Sequence, residues 1–232
     1  PMRVLTLTQE TTQAMSIELA RIDRQAIDLQ AGMFLTLVVS IEGQEHRRAY
    51  SISSACQQQQ TVTVTIKRVK DGKVSNYLLD HIKVGDTLPV LGPSGAFVLD
   101  QTARQASSLL LVGGGSGITP LMSMIRSLLA EAQSPQITLL YANRCFAEVI
   151  FAQDLIAFAN QHPQRLRIAH VLEQVDNNID AAQGLLDKTM FSQQLTRLFG
   201  EQLPKDLQIF ICGPSPMMLG IQDELAQRAW PK

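Results

Sequence analysis

SSLLLVGGGSGITP, residues 107–120, carries an apolar run from Leu109 to Val112 into a glycine-dense turn, then into a stretch suited to open a helix. Such a turn lets backbone N–H groups approach a pyrophosphate, and the positive end of the following helix helps to hold the charge. Gly115, Gly117 and Pro120 form a G-x-G-x-x-P pattern. Glycine at its first positions admits positive φ and close ligand approach, and proline fits the first helical turn without losing a hydrogen bond. The same pattern also serves as a tight strand–helix turn that holds nothing. Its place after the first strand of an α/β region favours a ligand, because open α/β sheets bind at the carboxyl ends of their strands.

Downstream of this turn, buried-strand patterns at 109–112, 137–141, 166–171 and 208–212 alternate with helical patterns at 120–132, 149–160, 191–199 and 216–229. That order predicts βαβ units, a doubly wound parallel sheet and right-handed crossovers. Upstream the texture differs. Short Val-, Ile-, Thr- and Leu-rich runs at 2–8, 16–22, 33–39, 49–53, 61–69 and 87–91 are separated by Gly, Asp and Gln segments. In TVTVTIK, residues 61–67, Val62, Val64 and Ile66 share one face. These runs predict an antiparallel barrel or sandwich, interrupted by one helix over 74–82. The polar segment DQTARQAS, residues 100–107, reads as the linker, which places the domains at 1–103 and 104–232. The Gln run 57–60 is a short polar turn, and no internal repeat is visible.

The chain has 232 residues and a formal net charge of −1, long enough for two cores and too neutral to predict a nucleic-acid surface or attachment to anionic lipid. Its longest apolar runs are far too short to span a bilayer, and no secretory pattern opens it, so the expectation is a cytoplasmic protein. Cys56, Cys145 and Cys212 are widely separated, and His46, His81, His162 and His170 show no metal-ligand spacing. No residue is assigned to a metal, and any redox cofactor is expected to be organic.

Three further motifs frame the glycine turn. Arg48-Ala49-Tyr50-Ser51 offers a cation for a phosphate, an aromatic plane for a flat ring and a hydroxyl for a ring nitrogen, although it also reads as an ordinary strand fragment. Asp71-Gly72-Lys73-Val74-Ser75-Asn76 reads as a turn and helix start whose N–H groups, hydroxyl and ammonium suit a phosphate, or as a hairpin turn with an N-cap. Cys212-Gly213-Pro214 ends the last parallel strand, where a small polarizable side chain can lie against a ligand. A lone cysteine there also serves as a small buried hydrophobe.

In this order the four elements resemble the ferredoxin–NADP reductase superfamily. RAYS resembles its flavin motif RxYS, DGKVSNYL its phosphate helix, GGGSGITP its pyridine-nucleotide loop and CGPSPMM its CGP-x-x-M strand end. LQAGMFLTL, VGDTLPVLGPSGAF and LLYANR echo smaller family segments, so the resemblance covers nearly the whole chain. It is similar above all to the flavodoxin- and ferredoxin-reductase-like modules that serve oxygenases and hybrid-cluster proteins. The resemblance implies an antiparallel Greek-key β-barrel FAD domain followed by a doubly wound nucleotide-binding domain.

The resemblance also implies roles. Arg48 pairs with the FAD pyrophosphate, Tyr50 packs on the isoalloxazine with Ala49 beside it, and Ser51 hydrogen-bonds near flavin N5. Ile66 and Lys67 line the ribose–phosphate side, while Gly72, Lys73, Val74 and Ser75 hold the phosphates. Gly114, Gly115, Gly117, Ile118 and Thr119 receive NADPH or NADH, and Cys212 sits beside the nicotinamide with Gly213 and Pro214. Ser51 and Cys212 are then the catalytic positions. The implied activity is hydride transfer from NAD(P)H to flavin, with electrons passed to a one-electron acceptor such as a [2Fe–2S] ferredoxin domain, a flavodoxin or an oxygenase component. Two alternatives stay open: a reductase of free flavin, and an electron-relay module inactive without a partner domain.

Three departures from the family pattern stand out. The chain runs twenty residues past Cys212, where relatives usually continue to an acidic-x-Phe or terminal aromatic, and it lacks the four-Cys cluster of relatives with a fused [2Fe–2S] domain; the Pro1 start and the Trp230-Pro231-Lys232 end suggest a fragment of a longer protein, truncated at its C-terminus. The second nucleotide strand ends in Asn143-Arg144 without the acid expected for an NAD ribose. Arg144 is either a partner for a 2′-phosphate, favouring NADPH, or a solvated strand-end charge.

Overall fold

The computed structural model describes residues 1–58, 60–175, 179–228 and 230. The first hundred residues supply β1 (Met2–Thr11), β2 (Ala14–Arg21), β3 (Phe34–Ile41), β4 (Gln44–Ser51), β5 (Thr61–Lys67), α1 (Lys73–His81), β6 (Thr87–Leu88) and β7 (Val90–Ser94). There follow α2 (Gln101–Gln105), β8 (Ser108–Gly114), α3 (Ile118–Leu129), β9 (Gln136–Asn143), α4 (Ala152–Gln161), β10 (Leu166–Leu172), β11 (Ala181–Gln183), α5 (Lys188–Phe199), β12 (Gln208–Cys212) and α6 (Ser215–Gln227). The chain forms two compact units, residues 1–100 with 119–132, and residues 101–118 with 133–232.

In the first unit all strand pairs are antiparallel, in the orders β5-β2-β1-β6 and β4-β3-β7. The segment 87–94 joins these sheets on one side, since Leu88 pairs with Met2 while Val90 pairs with Leu37. On the other side a single bridge, Ile52 to Val64, links the end of β4 to β5. The result is a curled Greek-key barrel that stays loosely closed between β4 and β5. Alternation builds its interior: Val62, Val64 and Ile66 are fully buried beside Ile17, Leu19, Leu35 and Leu37. α1 packs against β4 and β5 and sends Val74 and Leu78 into that core.

The first unit also holds most of α3. Ser123 Oγ donates to Ser54 O at 2.7 Å, Arg126 Nη1 donates to Ser53 O at 2.7 Å, and Ser127 Oγ accepts from Cys56 N at 2.9 Å. These bonds fall on the segment that directly follows β4. Deeper in, Thr65 Oγ1 meets Ser16 Oγ at 2.8 Å and Ser53 Oγ at 2.9 Å, so hydroxyls buried in an apolar interior satisfy one another.

The second unit is a parallel sheet in the order β11-β10-β9-β8-β12. Leu110, Val112, Leu140 and Val171 pack with Phe191 and Leu195 of α5 and Ile221 and Leu225 of α6. Trp230 packs against that core, and its backbone N–H donates to Leu225 O.

Several elements differ from the sequence expectation. β11, three residues long and too short to show a period, joins the sheet as a fifth strand. The polar linker contains α2, whose Ala103 is buried. The helix expected over 149–160 starts at Ala152, because Phe151 takes a left-handed φ of 64° and the preceding residues are buried outside it. α5 begins at Lys188 rather than 191, where the Asp187 carboxylate accepts from Met190 N. The expected last helix reaches Ala229, and the expected polar turn over 57–60 includes Gln59; both residues lie outside the described ones.

Candidate functional site

In the second unit β8 is flanked by β9 on one side and β12 on the other, so the order of strands reverses there. The carboxyl ends of β8 and β12 meet, with Cys212 paired to Gly113. A 3-10 turn, Gly115–Gly117, leads from β8 into α3, and Gly115 has φ 53°. Gly114 and Gly213 lie so close to α6 that a Cβ on either would stand 2.8 Å or 2.6 Å from Met217. At Gly117 a Cβ would stand 2.0 Å from the Cys212 carbonyl oxygen. The glycines therefore let two strand ends and a turn come together, which gathers Gly114, Gly115, Gly117, Cys212, Gly213 and Pro214 at one place. Ile118 and Thr119 are buried in the first turn of α3. The Tyr141 hydroxyl donates to Gly115 O at 2.9 Å and so fixes the turn from β9, and burial pushes its pKa up.

Cys212 is half-buried, and burial pushes its thiol pKa above the ordinary value. It is a neutral, soft contact near neutral pH and not a nucleophile. Its alkylation by iodoacetamide at pH 8 is expected to run slower than that of free cysteine and to climb only at higher pH. Site-resolved mass spectrometry checks this, and a rate at pH 8 above the free thiol's would contradict it.

At the end of β9, Arg144 is exposed and forms an ion pair with Glu148, at the close of the 3-10 turn Phe146–Glu148. His170 on β10 packs against Tyr141 and edge-on against Phe146, and desolvation lowers its pKa by disfavouring the charged form.

In the first unit, Arg48 and Tyr50 share one face of β4, paired with Leu37 and Leu35 of the barrel interior, while Ala49 and Ser51 lie on the other, opposite Thr36 and Phe34. The exposed Arg48 side chain donates to the Arg47 carbonyl at 2.7 Å. Tyr50 is half-buried, and desolvation, opposed by the Arg48 charge, pushes its phenol up to about 12. Lys67 is half-buried at the end of β5, whereas Ile66 is fully buried in the core. Gly72 precedes α1, and Lys73 is exposed in its first turn. Val74 is buried and can offer only its backbone N–H. Ser75 Oγ is committed to the turn, accepting from Val69 N at 3.2 Å and donating to Gly72 O at 3.4 Å.

The helix starts show which of these turns suit an anion. α1, the 3-10 turn into α3, and α6 have no side-chain cap and no acid in the first turn. α5, by contrast, is capped by Asp187, and α4 carries Asp154 in its first turn. Uncapped N-termini leave N–H donors and a positive dipole end for a phosphate. These residues fit two nucleotide pyrophosphates, one in each unit.

Sequence reasoning did not single out Tyr141, Met217 or Glu148. The first was legible in principle, since a Tyr inside a buried strand needs a partner for its hydroxyl. Met217 depends on which strand end meets which helix, whereas Glu148 lies only four residues past Arg144, on the turn that follows β9.

Residues 4–99 match the oxidoreductase FAD-binding domain family and residues 111–223 the oxidoreductase NAD-binding domain family. The chain is 37% identical, over 97% of its length, to the ferredoxin reductase component of 3-ketosteroid-9-alpha-monooxygenase from Mycobacterium tuberculosis, of which the match covers 61%. It is 32% identical over 93% of its length to a subunit of the 1,2-phenylacetyl-CoA epoxidase from Escherichia coli, covering 60% of that protein. The chain thus spans about three fifths of these relatives. Its fold superposes on the FAD/NAD-binding domain of the nitric oxide dioxygenase from Vibrio cholerae with a TM-score of 0.85 at 25% identity, covering all of this chain and 94% of the other. With uncapped helix starts in both units and these two domain families in this order, the chain belongs to the ferredoxin–NADP reductase superfamily, as an FAD-binding domain followed by an NAD-binding domain.

Proposed function

We propose that the chain is the NAD(P)H-dependent flavoprotein reductase module of an electron-transfer system, passing electrons to an iron–sulfur or other one-electron acceptor. The observation that carries this reading is the presence of two nucleotide-suited helix starts in one chain, each beside the cation or the glycine packing its ligand needs. When bound, FAD and a nicotinamide dinucleotide would supply the redox chemistry, a hydride transfer between the two rings. The protein's residues bind and orient. Arg48, the Lys73 ammonium and the backbone N–H groups at the start of α1, from Gly72, Lys73, Val74 and Ser75, take the FAD phosphates. Tyr50 offers its ring face, and Ser51 a hydroxyl for a flavin ring nitrogen. Ala49 leaves room beside them, and Ile66 and Lys67 close the ribose side. Gly114, Gly115, Gly117, Ile118 and Thr119 cradle the second pyrophosphate, and Cys212, Gly213 and Pro214 border the nicotinamide. We assign residues 1–103 to the flavin part and 104–232 to the nucleotide part.

The relatives named above belong to oxygenase and epoxidase systems, so the proposed partner is a [2Fe–2S] ferredoxin domain, a flavodoxin or an oxygenase component. No helix among the described residues is long and apolar enough to cross a membrane. Cys56, Cys145 and Cys212 are thiols rather than disulfides, which suits a reducing, cytoplasmic compartment.

The test is FAD titration of the purified protein, followed by NADH and NADPH oxidation with ferricyanide. Retained FAD and acceptor turnover are expected, and Cys212→Ala should depress turnover more than FAD affinity. Failure to bind FAD would overturn the reading. Binding without turnover would instead mark a relay module, and turnover only with excess free flavin a free-flavin reductase.

A further inference from the structure

A tyrosine hydroxyl from the neighbouring strand reaches the glycine turn after β8, and its bonding decides which way one peptide of that turn faces. Tyr141 on β9 pairs with Gly113 near the end of β8, so its side chain stands beside the turn. The phenol oxygen accepts from the Ile150 backbone N–H, in the segment that joins β9 to α4. A hydroxyl carries one proton, and here it goes to the Gly115 carbonyl oxygen at 2.9 Å. Tyr141 and Ile150 are fully buried, so water does not take the place of either bond. Burial also raises the phenol pKa, which keeps the group a donor near neutral pH. His170 packs against the ring, with centroids 6.1 Å apart, and steadies its aim.

The carbonyl it holds belongs to a residue with a left-handed φ of 53°. Glycine moves readily between backbone conformations, so the peptide that follows Gly115 can turn over at little cost unless something holds it. In a trans peptide the C=O and the next N–H point in opposite directions. Holding the Gly115 carbonyl toward Tyr141 therefore sends the Ser116 N–H away from the interior, and Ser116 is exposed. With the peptide reversed, the turn would present a carbonyl oxygen, which repels an anion, in place of an N–H, which attracts one.

We propose that Tyr141 is a positioning residue whose hydroxyl locks the Gly115–Ser116 peptide in the orientation that receives a pyrophosphate, and that its bond to Ile150 ties this lock to the segment between β9 and α4. The proposal rests on the reductase reading above. It concerns how the turn is kept ready for its ligand, whichever dinucleotide that is.

Tyr141→Phe tests it, because the change keeps the ring and removes only the hydroxyl. Calorimetry on the FAD-loaded variant should show the Kd for NAD+ or NADP+, whichever the wild type binds, raised roughly tenfold, the worth of one hydrogen bond. With ferricyanide as acceptor, KM for the reduced dinucleotide should rise in parallel, while kcat and FAD affinity stay within about twofold of wild type. In isotope-labelled protein without dinucleotide, the NMR amide resonance of Ser116 should be single and sharp in the wild type and broadened or split in the variant. Leu155→Val, which opens a small cavity at a buried position of α4 and leaves the hydroxyl in place, should lower the melting temperature without moving Kd. An unchanged Kd or an unchanged Ser116 resonance in Tyr141→Phe overturns the lock, as does an equal rise of Kd in Leu155→Val. Those results leave the reductase reading standing, provided the wild type binds and oxidises a dinucleotide. A wild type that binds neither overturns both.

Discussion

Gly117→Ala is expected to abolish NAD(P)H-dependent turnover while leaving FAD affinity within about threefold of wild type. The Cβ added at this position would lie 2.0 Å from the Cys212 carbonyl oxygen, 2.4 Å from its carbonyl carbon and 2.8 Å from Gly213 Cα. All three are backbone atoms, so no side chain can swing aside to make room. The residue's φ is not in the left-handed region, and the penalty is therefore steric and not conformational. The end of β12 must move away from the turn, which loosens its pairing with β8 at Cys212 and Gly113. Overpacking against fixed backbone costs about 3 kcal/mol or more, which lowers the melting temperature on the order of 10 °C for a chain of this size. Because the same movement opens the dinucleotide cradle, kcat/KM should fall by roughly a hundredfold or more. Differential scanning calorimetry, FAD titration and NAD(P)H oxidation with ferricyanide check these expectations. A variant that melts and turns over like wild type would show that the two strand ends do not pack as described.

Arg48→Ala is expected to weaken FAD binding by roughly 10- to 100-fold, the loss of one or two charge-assisted hydrogen bonds to phosphate. The side chain is exposed and bonds to the carbonyl of its own neighbour, Arg47, so truncation should cost the apoprotein little. That separation is what makes the variant informative: a structural arginine would lose stability, and a cofactor-binding one loses affinity. Arg48→Lys should recover only part of the loss, since an ammonium cannot present the two-pronged geometry of a guanidinium. Fluorescence titration of apoprotein with FAD measures the change. A shift below threefold would remove Arg48 from the phosphate site.

The pattern of the chain carried most of the architecture. Alternation in TVTVTIK placed Val62, Val64 and Ile66 inward, and all three are fully buried. The βαβ rhythm after residue 108 matched β8, β9, β10 and β12. Where local signals were weak the structure departed from it. β11 is three residues long, α2 is built from a polar segment that buries only Ala103, and a left-handed Phe151 delays the start of α4.

The candidate site was legible to a similar degree. GGGSGITP and CGP mark their own turns because glycine and proline act through the backbone at their own positions. Ser75 shows the limit: its hydroxyl suits a phosphate on paper, yet it is spent on Val69 N and Gly72 O. Arg144 shows it again, since a free strand-end cation and one paired with Glu148 are the same residue in a linear reading.

The sequence by itself therefore determined the two textures, the order of motifs and the chemistry each turn can offer, because propensity, periodicity and glycine freedom act over a few neighbouring residues. Only the tertiary structure decided which groups are already engaged and which backbones touch, as Tyr141 does Gly115 and Gly117 does Cys212. Those contacts join residues 26 and 95 positions apart, and they exist only once β8 lies between β9 and β12.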